Sequence, residues 1–277
     1  MGVIMTTPPF SHLDPGRPGL AALLGPPDPR DIYLAPHSDD VCFSIGALAA
    51  SRRAGTLLTV FSVSRYLADA RAALRASVLD VTRRRMAEDT EFARRVGLSA
   101  RWLGLSEAPI RGEMPFDDAP IAPAVQASRE ALLAALIGPT LGQRAARRPW
   151  LFCPLGVGAH RDHRTVRAIV LSAFGTLAVR YRIGFYEDLH YAADLEARRK
   201  ALEGLSTHAP ALAMTRLRHD LSQDVVRRKM ALLGLHASQL PAGWATVERF
   251  TPALPMLSGV PHEAVWVVQS DIAQASG

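Results

Sequence analysis

Two short polar clusters, His37-Ser38-Asp39-Asp40 and His160-Arg161-Asp162-His163, each stand where a compact apolar run gives way to a longer helix-periodic one. That placement constrains the fold more than any other feature. The run before the first cluster, 31–36, reads as a buried strand, and a helix is expected from about Val41 to Gly55. The alternation continues with a strand over 56–63 and an amphipathic helix over 77–96 that Gly97 stops. A short strand over 101–105 follows, then a turn-rich segment at 106–120 with Pro109, Gly112, Pro115 and Pro120, expected as a loop over a site.

A helix over 124–137 and a strand over 149–154 come next. After a turn containing Gly156 and Gly158, a helix runs from the second cluster to about Leu177, and a strand covers 179–186. Helices near 193–204 and 222–238 and a late strand at 264–268 complete the pattern. Strand–helix alternation predicts an α/β fold with a mainly parallel sheet and helices on both faces. Sites in such folds lie beyond the carboxyl ends of the strands, where both clusters fall.

Residues 1–29 read as a proline-rich lead-in, and 30–277 as a single domain. The N-terminus lacks the basic-then-apolar order of a secretory signal, and no apolar run is long enough to span a bilayer. Cys42 and Cys153 lie far apart and give no disulfide framework, so a cytoplasmic protein is expected. The net charge of +6 does not single out nucleic acid as a partner. Lysine occurs only at Lys200 and Lys229, and the densest basic cluster, Arg83-Arg84-Arg85, runs straight into Glu88, Asp89 and Glu91. That is the pattern of a solvated helix face.

In the first cluster an imidazole and a carboxylate three residues later can face one metal ion, leaving the other carboxylate to take a proton. The competing reading is that Asp39 or Asp40 caps the next helix. Two histidines and a carboxylate leave an open position for water and are a catalytic zinc set. His37, Asp40 and one histidine of the second cluster would make that set, with Asp39 as the base. Structural zinc is disfavoured with only two cysteines.

Ala35-Pro-His-Ser-Asp-Asp40 resembles the A-H-P-D-D-E signature of the LmbE-like, or PIG-L, family of zinc-dependent N-deacetylases. His160-Arg-Asp-His163-Arg-Thr-Val166 resembles its H-x-D-H segment. Weaker similarities lie at Arg85 to Glu88, at Glu187 to Ala192, and from Lys229 to His236-Ala-Ser-Gln239. The resemblance implies a Rossmann-like hydrolase with Zn2+ held by His37, Asp40 and His163 and with Asp39 as the base. It implies that His160 protonates the departing amine or stabilises the oxyanion, and that Asp162 orients His160. Arg85 and Asp188 are the candidates for substrate contacts; an ion pair with Glu88 competes for Arg85, and a helix cap for Asp188.

The implied reaction removes an N-acyl group, usually acetyl, from an amino-sugar-containing small molecule in natural-product or low-molecular-weight thiol biosynthesis. The alternatives are an amidase acting on a larger conjugate and a metal-free binding protein that keeps the fold. Three positions depart from the family pattern: Ser38 in place of proline, Val41 in place of glutamate, and Gly158 where some members carry an oxyanion-stabilising tyrosine. Any such donor must come from elsewhere in the chain. Cys42, Cys153, Trp102, Trp150 and Trp266 read as core. His190 reads as a surface loop residue and His236 as a satisfied partner on an amphipathic helix, each with pocket lining as the alternative, and Trp244 as part of a lid.

Overall fold

The computed structural model describes residues 20–117, 119–138, 147–208, 212–240, 250–251 and 259–273. Its frame is a seven-stranded sheet in the order β3-β2-β1-β4-β5-β7-β6. β1 (Ile32–Ala35), β2 (Thr56–Thr59), β3 (Ser99–Trp102), β4 (Trp150–Pro154) and β5 (Arg182–Tyr186) run parallel. β7 (His262–Val268) is antiparallel to both β5 and β6 (Met214–Asp220).

β1, β2, β4 and β5 are buried along their whole length, because helices cover both faces of the sheet. Alternate side chains feed two cores. Ile32 and Leu34 pack with Leu58, Leu151, Val166 and Ile169 on one face; Tyr33 and Ala35 pack with Leu57, Phe152, Ile45 and Phe92 on the other. The order of strands reverses between β1 and β4, so the loops leaving their carboxyl ends diverge and open a crevice.

α2 (Asp40–Arg52) leaves the β1 loop and α6 (Arg161–Ser172) leaves the β4 loop. α4 (Val78–Val96) begins with a reciprocal capping box between Ser77 and Asp80, and ends at Gly97, whose φ of 75° only glycine adopts without cost. α5 (Ala122–Ile137), α8 (Leu195–His208) and α9 (Gln223–Leu233) complete the larger helices, and the short α7 (Phe174–Ala178) follows α6.

Some boundaries differ from the pattern. α2 stops at Arg52, with Arg53 in the left-handed region at φ 53°, rather than running to Gly55. The helix expected over 160–177 breaks at Ala173, and the one expected to 238 becomes a tight 3-10 turn at Gly234–His236. β6 was not anticipated, nor were α1 (Leu20–Leu24) and α3 (Ala70–Arg75). α1 falls in the stretch read as a lead-in, yet Leu20 and Leu24 are buried, and Trp150 Nε1 donates to the Leu24 carbonyl over 2.8 Å. Trp244 lies outside the described residues. Among the described residues no helix is long and apolar enough to cross a membrane.

Candidate metal and catalytic site

At the crevice the β1 loop and the β4 loop bring their polar clusters together. The backbone N–H of His37 donates to Asp40 Oδ2 over 2.7 Å, which closes the turn and sets the carboxylate at the start of α2. Asp39 occupies the N-cap position but makes no side-chain cap hydrogen bond, so it does not serve as a helix cap. Its carboxylate faces Arg85 NH2 at 3.3 Å instead.

Each of two imidazoles is held from behind by a buried carboxylate. His37 Nε2 lies 3.0 Å from Asp162 Oδ2, and His163 Nδ1 lies 2.6 Å from Asp188 Oδ1. Their opposite nitrogens face the two oxygens of Asp40, at 3.3 Å for His37 Nδ1 and 3.2 Å for His163 Nε2. A histidine that donates its rear N–H to a carboxylate keeps its front lone pair for a metal ion, so the donor set fits one. Ring nitrogens of His37, His160 and His163 lie within 4.8 Å of one another, as do the ligand atoms of His37, Asp39 and Asp40.

The supporting carboxylates are themselves anchored. Asp188 Oδ2 accepts from the Gly156 and Val157 N–H groups, and Asp162 accepts from the Ala108 N–H and from Arg111. Asp162, expected to orient His160, therefore spends its side chain on His37; only its backbone N–H reaches His160 Nδ1, at 3.2 Å. Asp188, expected at the substrate, stands behind His163 with both oxygens engaged.

Arg85 is buried and bridges Asp39, Glu107 and Ser64 Oγ. Glu88, the competing partner for Arg85, instead pairs with Arg84 and accepts from Ser238.

Burial penalises charge throughout the site, and the partners decide what survives. Burial lifts the Asp39 carboxyl to about 6, with Arg85 opposing and Asp40 adding to the rise. Burial would lower His37, yet its bonds to Asp162 and Asp40 raise it to about 9. His163 is likewise raised against burial, by Asp40 and Asp188. His160 is pushed down to about 2 by burial and by the two neighbouring imidazoles, so it is neutral. Because its Nδ1 accepts from the Asp162 N–H, its proton sits on Nε2.

These groups line a cavity of about 270 Å3 with His37, Asp39, Asp40, Arg85, Glu107, His160 and His163 at its base. Phe43, Tyr66, Pro109, Pro115, Phe116, Tyr191, His190 and Gln239 form the rest of its wall. The turn-rich loop thus does cover the site, through Pro109, Pro115 and Phe116. His236 is fully buried between Phe43 and Phe92 and is not part of that wall.

Tyr191 lies in the 187–192 segment, where nothing marks it as a donor; Gly158 carries the hint. A Cβ built at Gly158 would lie 2.3 Å from Tyr191 Cγ. The Tyr191 ring fills the space a side chain at 158 would need. Glu107 and Gln239 also enter the wall without having been singled out individually, since neither is near the ligands in the chain.

The PIG-L family, described as GlcNAc-PI de-N-acetylase, matches residues 32–174. A 2'-N-acetylparomamine deacetylase of Streptomyces fradiae is 36% identical over 180 residues, covering 61% of this chain and 60% of that protein, so the match leaves a good part of the relative unpaired. A deacetylase–teicoplanin complex from the teicoplanin biosynthesis pathway superposes with a TM-score of 0.61 at 15% identity, over 86% of this chain and 97% of the other. The N,N'-diacetylchitobiose deacetylase of Pyrococcus horikoshii gives 0.52 at 15% identity, over 88% and 84%. At such identities the structures speak for the fold alone. With the family match running from β1 through both polar clusters and beyond α6, this chain belongs to the PIG-L family.

Proposed function

We propose that the chain is a zinc-dependent N-deacetylase that frees an amine on an amino-sugar-containing natural product. The observation that carries the reading is the pair of imidazoles, each backed by a buried carboxylate and each turned toward Asp40, with Asp39 left over beside them. The N-deacetylase activity is supported by the family, and the substrate class by the relative named for 2'-N-acetylparomamine.

His37, Asp40 and His163 would hold the ion. When bound, zinc supplies Lewis-acid polarisation of the amide carbonyl and makes water more acidic. Asp39 takes a proton from the attacking water, and Arg85 holds that carboxylate in place. Two donors are available to the negative oxygen that develops as the carbonyl becomes tetrahedral, the Nε2–H of His160 and the hydroxyl of Tyr191. As the C–N bond breaks, Asp39 passes the proton it took from water to the leaving nitrogen while the His160 Nε2–H stays on the oxygen, so the products are acetate and the free amine. Asp162 and Asp188 act through the ligands, by fixing the tautomers of His37 and His163.

Elemental analysis of the purified protein, with amine release from N-acetyl amino sugars, tests the reading. About one zinc per chain is expected, lost on His37→Ala and His163→Ala and kept in Asp39→Asn and His160→Ala, the last two with turnover lowered by about 100-fold or more. A protein that takes up no metal even when zinc is supplied refutes it.

A further inference from the structure

We infer that Gln239 determines specificity: its side-chain carbonyl oxygen receives a hydrogen bond from a hydroxyl or amino group of the sugar. The inference rests on the deacetylase reading above and assigns part of its substrate recognition. Gln239 follows the 3-10 turn after α9 and is 4% exposed, yet it lines the same cavity as Asp39 and His160.

The orientation of its amide is decided by its partners. Nε2 donates to the Tyr66 carbonyl over 3.2 Å, and a carbonyl can only accept. Nε2 also lies 2.7 Å from Ser238 Oγ, whose own proton is committed to Glu88 Oε2 at 2.6 Å, so the hydroxyl accepts here too. Both N–H bonds of the amide are therefore spent, and the opposite atom must be oxygen. That oxygen, Oε1, is buried and has no hydrogen-bond partner among the described residues.

A buried carbonyl without a donor is a costly feature, and native proteins keep few of them. Gln239 belongs to the wall of the cavity, and a ligand that brings an O–H or N–H to its oxygen removes the deficit. An aliphatic acyl chain brings neither, whereas a sugar ring carries several hydroxyls around its edge. The position is also rigidly tied to the reacting end of the site. Gln239 holds the Tyr66 carbonyl, the Tyr66 N–H donates to Glu107, Glu107 pairs with Arg85, and Arg85 pairs with Asp39. A donor bound at Oε1 therefore sets the sugar relative to the base.

The test compares an N-acetylglucosaminide with its 3-deoxy, 4-deoxy and 6-deoxy analogues, using amine release by the wild type, Gln239→Leu and Ser238→Ala. In the wild type one deoxy analogue is expected to lose about tenfold to 100-fold in kcat/KM, since the buried acceptor is left empty. Gln239→Leu should lose a similar factor on the parent sugar, mostly in KM, and should no longer distinguish it from that analogue. Ser238→Ala, which loosens the amide without removing its oxygen, should keep the discrimination. Should the leucine variant fail to fold, Gln239→Met gives the same comparison. Discrimination that survives in either variant, or a wild type indifferent to every deoxy analogue, overturns the role of Gln239 alone. A wild type that releases no amine from any of these sugars overturns the deacetylase reading and this inference with it.

Discussion

Lys229 Nζ lies 2.7 Å from Glu263 Oε1, and both side chains are wholly shielded from solvent. Between them they repair a break in α2. The helix kinks at Ile45 (φ −124°), and the N–H groups of Ala47 and Leu48 turn to the two oxygens of Glu263, at 2.8 Å each. Lys229 also donates to the Ser44 carbonyl over 3.2 Å. The helix that begins with Asp40 is thus tied to β7 and α9 through one ion pair. Removing one partner strands a buried charge, so Glu263→Ala is expected to cost about 3–5 kcal/mol in urea unfolding. The double variant Glu263→Gln, Lys229→Met should cost clearly less than the sum of its single changes. Additive losses would show that the two residues act separately.

Asp188 touches the cavity only through His163. Asp188→Ala is expected to weaken zinc binding by about 10-fold to 100-fold, read by competition with a chelator, while the fold persists. Asp188→Asn should do less harm if its amide oxygen takes over the His163 Nδ1–H. Unchanged zinc affinity in both variants would assign Asp188 to the Gly156 and Val157 N–H groups alone.

Tyr191 lines the cavity, and the base of its ring stands where a side chain at 158 would be. Tyr191→Phe keeps the ring and is expected to lower kcat by about 100-fold, with KM nearly unchanged and zinc retained. Gly158→Ala should harm the same step by moving the ring, since its Cβ has no room and its φ of 83° disfavours alanine. Full activity in Tyr191→Phe would leave His160 as the donor for the oxyanion.

Asp89 gives the fold a pH dependence with an unusual sign. It is buried under β2 and β3, accepting from Thr59 Oγ1 at 2.6 Å and Trp102 Nε1 at 3.1 Å. Burial raises its carboxyl to about 8; the two hydrogen bonds and Arg85 oppose the rise, and the charge of Asp39 adds to it. The folded state therefore holds a proton that the unfolded chain releases near pH 4. Its contribution is full below that value and fades as pH climbs to about 8. Asp89→Asn should gain at least about 1 kcal/mol relative to wild type between pH 5 and pH 9, by chemical denaturation at each pH. A parallel pH dependence in the two proteins would assign the slope to other groups.

Much of the site was legible because its chemistry is local. His37 and Asp40 share one turn, His160 and His163 share another, and the strand before each is a short apolar run between polar ones. β6 escaped because Met214–Asp220 alternates no apolar face of its own; its burial comes from pairing with β7, whose partner residues lie some way along the chain. The helix ends moved for a similar reason. Arg53 accepts a left-handed conformation, and Ala173 a break, because packing outweighs the small local preferences.

Sequence by itself determined the parallel α/β frame and the five groups that meet at the crevice, since periodicity and turn chemistry act over a few residues. Only the tertiary structure decided which carboxylate stands behind which imidazole. Asp162 is two residues from His160, yet its side chain serves His37, because α6 turns it toward β1 and away from the neighbouring ring. The same holds for Asp188 behind His163, for Glu263 beneath the kink of α2, and for Tyr191 over Gly158. Hydrogen bonds and close packing are made in space, over a few ångströms, and chain distance carries no record of them until the sheet has brought its strand ends together.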